Sequence, residues 1–273
     1  MNIDDESETA VRPPPPDFNG SALEIFSIIE QQPSRSALYL DIDGTLLDIA
    51  PTPEAIVVPP GLADQLAALA AKLDGAVALV TGRSIARVDA LFEPHRFPVA
   101  GLHGAEMRLP DGGLVEPALS SAFLAAKEEL RARSKDLEGV IFEDKGAAVA
   151  LHFRLASHHE AVVGALMQQA AASTGEHWAL QHGKMVVELK PARSGKGEAL
   201  ERLMGTAPFR GRYPIAVGDD LTDEEMFAVA AAAGGAAIRV GDAAAPTAAH
   251  AWIGSPNELR RLLASIARQP EGK

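Results

Sequence analysis

Apolar runs and segments of helical periodicity alternate along most of the chain. Five runs without polar alternation are typical of strands buried on both faces: 36–42, 75–83, 97–109, 212–220 and 235–241. Helical periodicity is found before, between and after these runs, at 21–31, 59–73, 194–204, 222–233 and 255–269. Ser84 and Ser255 have the residue type of helix N-caps. The alternation predicts parallel βαβ units with right-handed crossovers.

The middle of the chain has a different pattern. It predicts helices at 119–137 and 158–173, and strands at 139–144, 147–155, 177–183 and 184–190. Short polar turns separate the paired strands. The stretch "ALHFRL" alternates, as expected of a sheet with one wet face. The predicted fold class is therefore α/β, with a doubly wound, Rossmann-like parallel sheet as the core and an inserted α/β cap domain. The predicted division is a disordered tail at 1–17, a catalytic core at 18–109 and 190–273, and the cap at 110–189.

Charge and composition exclude several classes of protein. The 273 residues include 25 Lys and Arg against 37 Asp and Glu, a formal charge of −12, which argues against binding to nucleic acid or to an anionic membrane. There is no cysteine, so disulfides, thiolate catalysis and cysteine-ligated zinc are excluded. No secretory signal and no apolar run of roughly 20 residues is present, and we expect a cytoplasmic protein. The sequence does not determine the oligomeric state.

Polar groups follow three of the predicted core strands. They lie in "DIDGT" (41–45), "TGR" (81–83) and "GDDLTDEE" (218–225), and Lys196 opens a predicted helix. Ligands of an open parallel sheet bind beyond the carboxyl ends of its strands, so these groups predict one site. Asp41 and Asp43 are close enough to repel each other unless a metal ion, a proton or a lysine compensates them.

This set resembles the haloacid dehalogenase-like phosphotransferase superfamily, whose pattern is DxDGT, a Ser or Thr, a Lys and an acidic GDD motif. The resemblance implies that Asp41 is a nucleophile that forms an aspartyl-phosphate. Asp43 would protonate the leaving sugar oxygen and then activate water. Thr81 and Lys196 would hold the phosphoryl oxygens.

The same resemblance implies a Mg²⁺ site. Its ligands would be Asp41, the backbone carbonyl of Asp43, and Asp219. Asp220 and Asp223 would be supporting acids around the metal. A hard cation with oxygen ligands is consistent with this set of residues.

A narrower resemblance, to the trehalose-6-phosphate phosphatase family, extends from about residue 36 to 240. It rests on "GLHGAE", "EDKGAAVALHFR", "GKMVVELKP", "SGKGEAL" and "GDDLTDEEMF", which occur in the family's order. It implies that the distal glucose is bound by Glu143, Lys145, Arg154, Lys184 and Glu188. It also places His103 and Gly104 near the substrate, at the junction of core and cap. The alternatives are a solvated sheet face with cross-strand ion pairs and a packed or hinge histidine.

The resemblance implies Mg²⁺-dependent hydrolysis of trehalose 6-phosphate, a small-molecule substrate, in trehalose biosynthesis. Three alternatives stay open: a phosphatase of another sugar phosphate (sucrose- or mannosylglycerate-type), a phosphomutase, and a non-catalytic sugar-phosphate sensor. The complete set of Asp41, Asp43, Lys196 and Asp219 argues against the sensor, which has no need of all four.

Overall fold

The computed structural model describes residues 21–50, 52, 55–192, 194–242 and 246–268. The predicted tail at 1–17 lies outside them. The helices are α1 (Ala22–Gln31), α2 (Leu62–Lys72), α3 (Ile85–Leu91), α4 (Ser121–Ser134), α5 (Glu160–Thr174), α6 (Lys196–Met204), α7 (Glu224–Ala232) and α8 (Pro256–Ala267). The strands are β1 (Ser36–Leu40), β2 (Val77–Val80), β3 (Val99–Gly101), β4 (Glu106–Arg108), β5 (Leu114–Val115), β6 (Ile141–Asp144), β7 (Val149–His152), β8 (Trp178–Gly183), β9 (Val186–Pro191), β10 (Tyr213–Gly218), β11 (Ala236–Val240) and β12 (Ala251–Ile253). Within these ranges, no helix is long and apolar enough to cross a membrane.

Eight strands form the larger sheet, in the order β12-β11-β10-β1-β2-β3-β4-β5. The six from β12 to β3 are parallel, and β4 and β5 extend that edge in antiparallel fashion. All residues of β1 and β2 are buried, which explains their uninterrupted apolar sequence. Ser84 and Ser255 accept hydrogen bonds from backbone N–H groups in the first turns of α3 and α8, which confirms both predicted caps.

The second sheet has the order β6-β7-β9-β8 and is antiparallel throughout. One face packs on α4 and α5 around a separate hydrophobic core that includes Phe123, Leu151 and Met167. Phe123 stacks on Trp178 with ring centroids 3.6 Å apart. The other face has polar side chains, as the alternation in "ALHFRL" predicts.

The predicted α/β fold is confirmed, and the structure differs from the sequence predictions in the bounds and number of several strands. The predicted third strand, 97–109, is two strands, because the chain turns at residues 102–104 and β4 returns antiparallel to β3. The short strands β5 and β12 were not predicted. Since β5 pairs with β4, the larger sheet extends past residue 110, where the cap was predicted to begin. Strand β9 ends at Pro191, two residues beyond the predicted end of the cap.

Candidate active site

The carboxyl ends of β1, β2 and β10 meet at a cleft of about 460 Å³ between the two sheets. Asp41, Thr81 and Asp219 each follow one of these strands, and Lys196 is the first residue of α6. All four line the cleft. The structure therefore brings together side chains that are up to 178 positions apart in sequence, at the edge where ligands of parallel sheets bind.

Lys196 is the positive group beside the first aspartate. Its ammonium nitrogen lies 2.6 Å from Asp41 Oδ1 and 2.6 Å from Asp223 Oδ1, and all three side chains are almost fully buried. Burial raises the pKa of Asp41 well above its usual range, while the nearby Lys196 acts in the opposite direction. The two carboxylates overcome the desolvation of the lysine and raise its pKa. A lysine is therefore one of the groups that compensate Asp41.

Asp223 also organises the loop that follows β10. Its Oδ2 accepts hydrogen bonds from the backbone N–H groups of Asp219 and Asp220, at 2.9 and 3.0 Å. The side chain of Asp220 accepts from the N–H of Leu221 at 2.7 Å, which caps the short helical turn. Asp223 therefore holds both Lys196 and the backbone of the residue expected to bind the metal.

The donor set at the bottom of the cleft suits a hard divalent cation. Asp41, Asp219 and Asp223 each place a carboxylate oxygen within 4.8 Å of the other two. Burial, and then the charge of Asp223, raise the pKa of Asp219 to about 7. Because burial is the largest cause, the shift shows mainly that the Asp219 carboxylate is costly to ionise in this buried position. Carboxylate oxygens are preferred ligands of Mg²⁺, so the residues present fit this ion.

Gly44 shapes this part of the site. Its φ is +80°, and a Cβ atom there would lie 2.1 Å from Asp219 Oδ2. The backbone of the DIDGT loop thus lies directly against the Asp219 carboxylate, and Thr45 Oγ1 donates to the other oxygen at 3.2 Å. Only glycine leaves room for the carboxylate in this position.

Asp43 lies to one side of the carboxylate cluster, in an ion pair that the sequence did not predict. Arg83 binds it with two hydrogen bonds, Nε to Oδ2 at 2.6 Å and Nη2 to Oδ1 at 2.7 Å. The backbone N–H of Arg83 donates to Thr81 Oγ1 at 3.1 Å. The "TGR" motif therefore supplies both the Thr81 hydroxyl, which was predicted to bind phosphate, and the partner of Asp43. The position of Arg83 two residues after Thr81, in the same polar turn, was the signal available in the sequence.

The polar face of the second sheet lines the opposite wall of the cleft. Glu143, Glu188 and Gln181 lie in one cross-strand row through Ala150. The ammonium of Lys145 lies 2.5 Å from Glu188 Oε2 and 4.0 Å from Glu143 Oε2. Lys145 is buried, which would lower its pKa, but Glu188 and Glu143 raise it overall.

Two further polar side chains on this face were missed in the sequence. His152 Nε2 lies 2.8 Å from Glu143 Oε2, and Gln181 contacts His103. Burial opposes ionisation of Glu143, but the hydrogen bond with His152 and the charge of Lys145 lower its pKa overall. Both residues have the strand parity of the predicted ligands, and this parity was the available signal.

The remaining predicted ligands lie at the two ends of the cleft. Arg154 and Lys184 are exposed at one end, and Arg154 Nη2 is 3.5 Å from the carbonyl oxygen of Lys184. His103 is buried and lines the cleft where the two sheets meet, next to Gly104. All of the predicted side chains except Asp223, which is fully buried beside Lys196, line this cleft, and the residues predicted to be catalytic face those predicted to bind sugar.

A family model and the sequences of known proteins all place this chain in the same family. Residues 39–250 match the family model described as trehalose-phosphatase. The chain is 50% identical over 231 residues to a probable trehalose-phosphate phosphatase of Sinorhizobium fredii, covering 85% of this chain and 87% of that protein. It is 42% identical over 212 residues to the trehalose-6-phosphate phosphatase of Escherichia coli K12, covering 77% and 79% of the two chains.

A solved structure, described as that of a trehalose-6-phosphate phosphatase related protein, has the same fold. It superposes with a TM-score of 0.73 at 27% identity, covering 85% of this chain and 96% of that one. The resemblance found in the sequence motifs is thereby confirmed. The chain belongs to the trehalose-phosphatase family of enzymes.

Proposed function

We propose that this enzyme hydrolyses trehalose 6-phosphate to trehalose and inorganic phosphate, through an aspartyl-phosphate on Asp41. The family and the names of its relatives support the substrate. The observation that carries the proposal is the construction of the cleft. One wall has a buried carboxylate held by Lys196, and the facing wall has a row of acids and a lysine suited to sugar hydroxyls.

In the first step, a carboxylate oxygen of Asp41 forms a bond to phosphorus as the bond from phosphorus to the sugar oxygen breaks. Lys196, which already touches Asp41 Oδ1, holds the nucleophile and offsets the charge of the phosphoryl oxygens. Thr81 donates its hydroxyl to the same group. In the second step, water attacks the aspartyl-phosphate, and phosphate leaves with Asp41 restored.

Asp43 supplies the proton that the leaving sugar oxygen needs, and then takes one from the attacking water. Its carboxylate must first leave the ion pair with Arg83 and take up a proton from solvent, which it then gives to the sugar oxygen. The phosphate group of the substrate is a competing anion for that guanidinium, because arginine binds phosphate and carboxylate with the same fork of donors. Substrate binding thereby releases the Asp43 carboxylate from Arg83.

The carboxylates of Asp41 and Asp219 and the backbone carbonyl of Asp43 would hold Mg²⁺, with Asp223 supporting them. The ion would neutralise charge on the transferring phosphoryl group, which is the main requirement of phosphoryl transfer. The cluster of carboxylates and the raised pKa of Asp219 support this assignment.

The segment from α4 to β9 acts as the cap in this proposal. Its polar face would bind the distal glucose through Glu143, Lys145 and Glu188, with Arg154 and Lys184 at the open end. Closure over the sugar would exclude bulk water from the phosphoryl group. A wrong sugar would leave buried polar groups of the cap unpaired, which is costly.

The test is release of inorganic phosphate, with and without Mg²⁺, from trehalose 6-phosphate, sucrose 6-phosphate and glucose 6-phosphate. We expect a strong preference for trehalose 6-phosphate, dependence on Mg²⁺, and loss of at least about 1,000-fold in the Asp41→Asn variant. The variant's melting temperature serves as the control for folding.

Each other result identifies a different error. Preference for another sugar phosphate would retain the chemistry and reject the substrate. Isomerisation of the ester without free phosphate would indicate a mutase. Binding without turnover would indicate a sensor. A rate of the Asp41→Asn variant within tenfold of the wild type would reject the nucleophile.

A further inference from the structure

The turn at residues 102–104 has an unusual backbone. Leu102, His103 and Gly104 have φ values of 49°, 56° and 92°, so two successive non-glycine residues are in the left-handed region. Each such residue costs about 1–3 kcal/mol and persists only where its surroundings hold it. This turn reverses the chain between β3 and β4 at the edge of the cleft. Its contacts show what holds it.

On one side, the turn is fastened to the loop after β2. The N–H of Leu102 donates to the carbonyl oxygen of Arg83 at 3.0 Å, and the N–H of His103 donates to that of Thr81 at 2.9 Å. Gly82 lies under the imidazole so closely that a Cβ atom there would be 2.7 Å from His103 Nε2. Any shift of the turn therefore displaces the loop that carries Thr81 and Arg83.

On a second side, the turn packs against the start of α6. A Cβ atom at Gly104 would lie 2.8 Å from the Cβ of Ala199 and 3.1 Å from the carbonyl oxygen of Gly195. Gly195 directly precedes Lys196, whose side chain holds Asp41. The turn thus supports both groups that are proposed to hold the phosphoryl oxygens.

On the third side, the turn meets the cap. Leu102 is fully buried with Ala147 and Ala148, from the connection between β6 and β7, in a small cluster separate from the two large cores. The side-chain amide nitrogen of Gln181, on β8, lies 3.3 Å from His103 Nε2. Nearby, the Lys145 ammonium donates to the Gly82 carbonyl at 3.3 Å.

The imidazole of His103 is neutral and lies in contact with the cap. Burial, and then the charges of Lys196, Lys190 and Lys145, hold the pKa of His103 well below its usual range, so the ring is neutral. Nε2 lies at hydrogen-bond distance from the Gln181 side-chain amide, while Nδ1 is buried without a hydrogen-bond partner among the described residues. The ring of His103 is thus hydrogen-bonded to the cap, while its backbone N–H donates to the carbonyl oxygen of Thr81.

We propose that His103 is a positioning residue, through which docking of the cap on the core sets the loop of Thr81 and Arg83. The proposal rests on the proposed function and adds to it the means by which the cap acts on the phosphate site. When Gln181 and the two alanines are in place, the turn is held in its strained form and the loop is ordered. When the cap moves away, the turn loses one of its three supports, and the remaining contacts must hold the strained backbone and the loop without it.

Two other roles for His103 make different predictions. If it only binds sugar, loss of its partner Gln181 raises KM for the sugar phosphate and leaves the Thr81 loop unchanged. If it is only a packed core residue, loss of Gln181 changes neither the loop nor the kinetics. Of the three roles, only coupling of the cap to the loop of Thr81 and Arg83 predicts that a substitution on β8 changes the backbone dynamics of that loop and lowers kcat.

The experiment is amide hydrogen exchange on the full chain in the Gln181→Ala variant. Gln169→Ala is the matched control, because Gln169 is an exposed glutamine on α5 of the same cap. We expect the amides of 81–83 and 102–105 to exchange about 2- to 10-fold faster in Gln181→Ala, about the worth of one hydrogen bond, and to be unchanged in Gln169→Ala. A change confined to the second sheet would overturn the proposal.

A second variant tests the same coupling from the core side. His103→Asn keeps a residue that tolerates positive φ but cannot reach Gln181. With trehalose 6-phosphate, each single variant should lower kcat about 2- to 10-fold with little change in KM, and the double variant should lose no more than one single. Additive losses would overturn the proposal. If trehalose 6-phosphate is not a substrate, the proposed function fails, while the exchange measurement still decides the coupling.

Discussion

The two sheets of this enzyme differ in strand direction, in burial and in where their polar side chains lie. The larger sheet is mainly parallel, and its central strands β1 and β2 are buried along their whole length. Functional groups can therefore be presented only where its strands end, and Asp41, Thr81 and Asp219 all lie there. The second sheet is antiparallel and covered by helices on one face. Its other face is available, and polar side chains occupy it in cross-strand rows.

In the proposed function, this difference separates chemistry from substrate recognition. The parallel sheet converges a few side chains on one point, which suits the charge cluster around Lys196. The antiparallel face spreads acids and bases over an area, which suits a ligand with many hydroxyl groups. Substitutions on the first wall should therefore affect every phosphate ester, and those on the second should affect mainly the large sugar ester.

The largest effect that tests this comparison is expected for Gly44→Ala. The new methyl group would displace the Asp219 carboxylate, and with it the expected metal ligand. We expect phosphate release to fall about 100-fold or more for both trehalose 6-phosphate and acetyl phosphate, with a weaker response to Mg²⁺. The measurement is the initial rate as a function of Mg²⁺ concentration.

Gly211→Ala is the matched control for this substitution. Gly211 also has a positive φ, +75°, but nothing lies within 4 Å of its Cβ position. It should show only the backbone strain, about 1–2 kcal/mol of stability, with normal activity of the folded enzyme. Equal loss of activity in both variants would show that strain rather than the Asp219 contact causes the effect.

A smaller and selective effect is expected for Glu188→Gln on the second wall. The substitution keeps the shape of the side chain but removes the charge that pairs with Lys145. Loss of a charge-assisted hydrogen bond of about 1.5–3 kcal/mol corresponds to roughly 10- to 150-fold in kcat/KM for trehalose 6-phosphate. Hydrolysis of acetyl phosphate, which is too small to span the cleft, should change little.

Glu129→Gln provides the comparison for Glu188→Gln, because Glu129 is an exposed acid on α4, outside the cleft. It should alter neither the rate with trehalose 6-phosphate nor the rate with acetyl phosphate. The separation of chemistry from recognition fails if Glu188→Gln slows both esters equally.

The smallest effect is on the pH dependence of stability, at the junction of the two walls. The pKa of His103 is well below 6.5 in the folded protein because of burial and the nearby lysines. The unfolded chain therefore takes up a proton below about pH 6.5 that the folded protein does not. This contribution to stability is complete above that pH and is lost, at up to about 1.4 kcal/mol per pH unit, as the pH falls towards the folded pKa.

Urea melts of wild type and His103→Asn at pH 7.5 and 5.5 test whether stability falls with falling pH because of His103. The wild type should lose more stability between the two pH values than the variant. His182→Asn, which changes an exposed histidine on β8, should behave as the wild type. Equal losses in wild type and His103→Asn would contradict the prediction.

The sequence by itself determined the α/β class and the groups that would meet at the sheet edge. Strands buried on both faces need continuous apolar residues, and the helices between them need apolar residues that recur every three to four positions. Both patterns can therefore be recognised in short stretches of sequence. The polar groups after β1, β2 and β10 were equally visible, because each directly follows its strand. Neither inference requires knowledge of packing between distant segments.

Other features were decided only by the tertiary structure. Lys196 lies between Asp41 and Asp223, and Arg83 pairs with Asp43, because loops from different strands meet at one edge. The reversal at residues 102–104 depends on positive φ values that the loop after β2, the start of α6 and the cap hold in place together. Local sequence preference opposes such a backbone at leucine and histidine, so only contacts made after folding can select it.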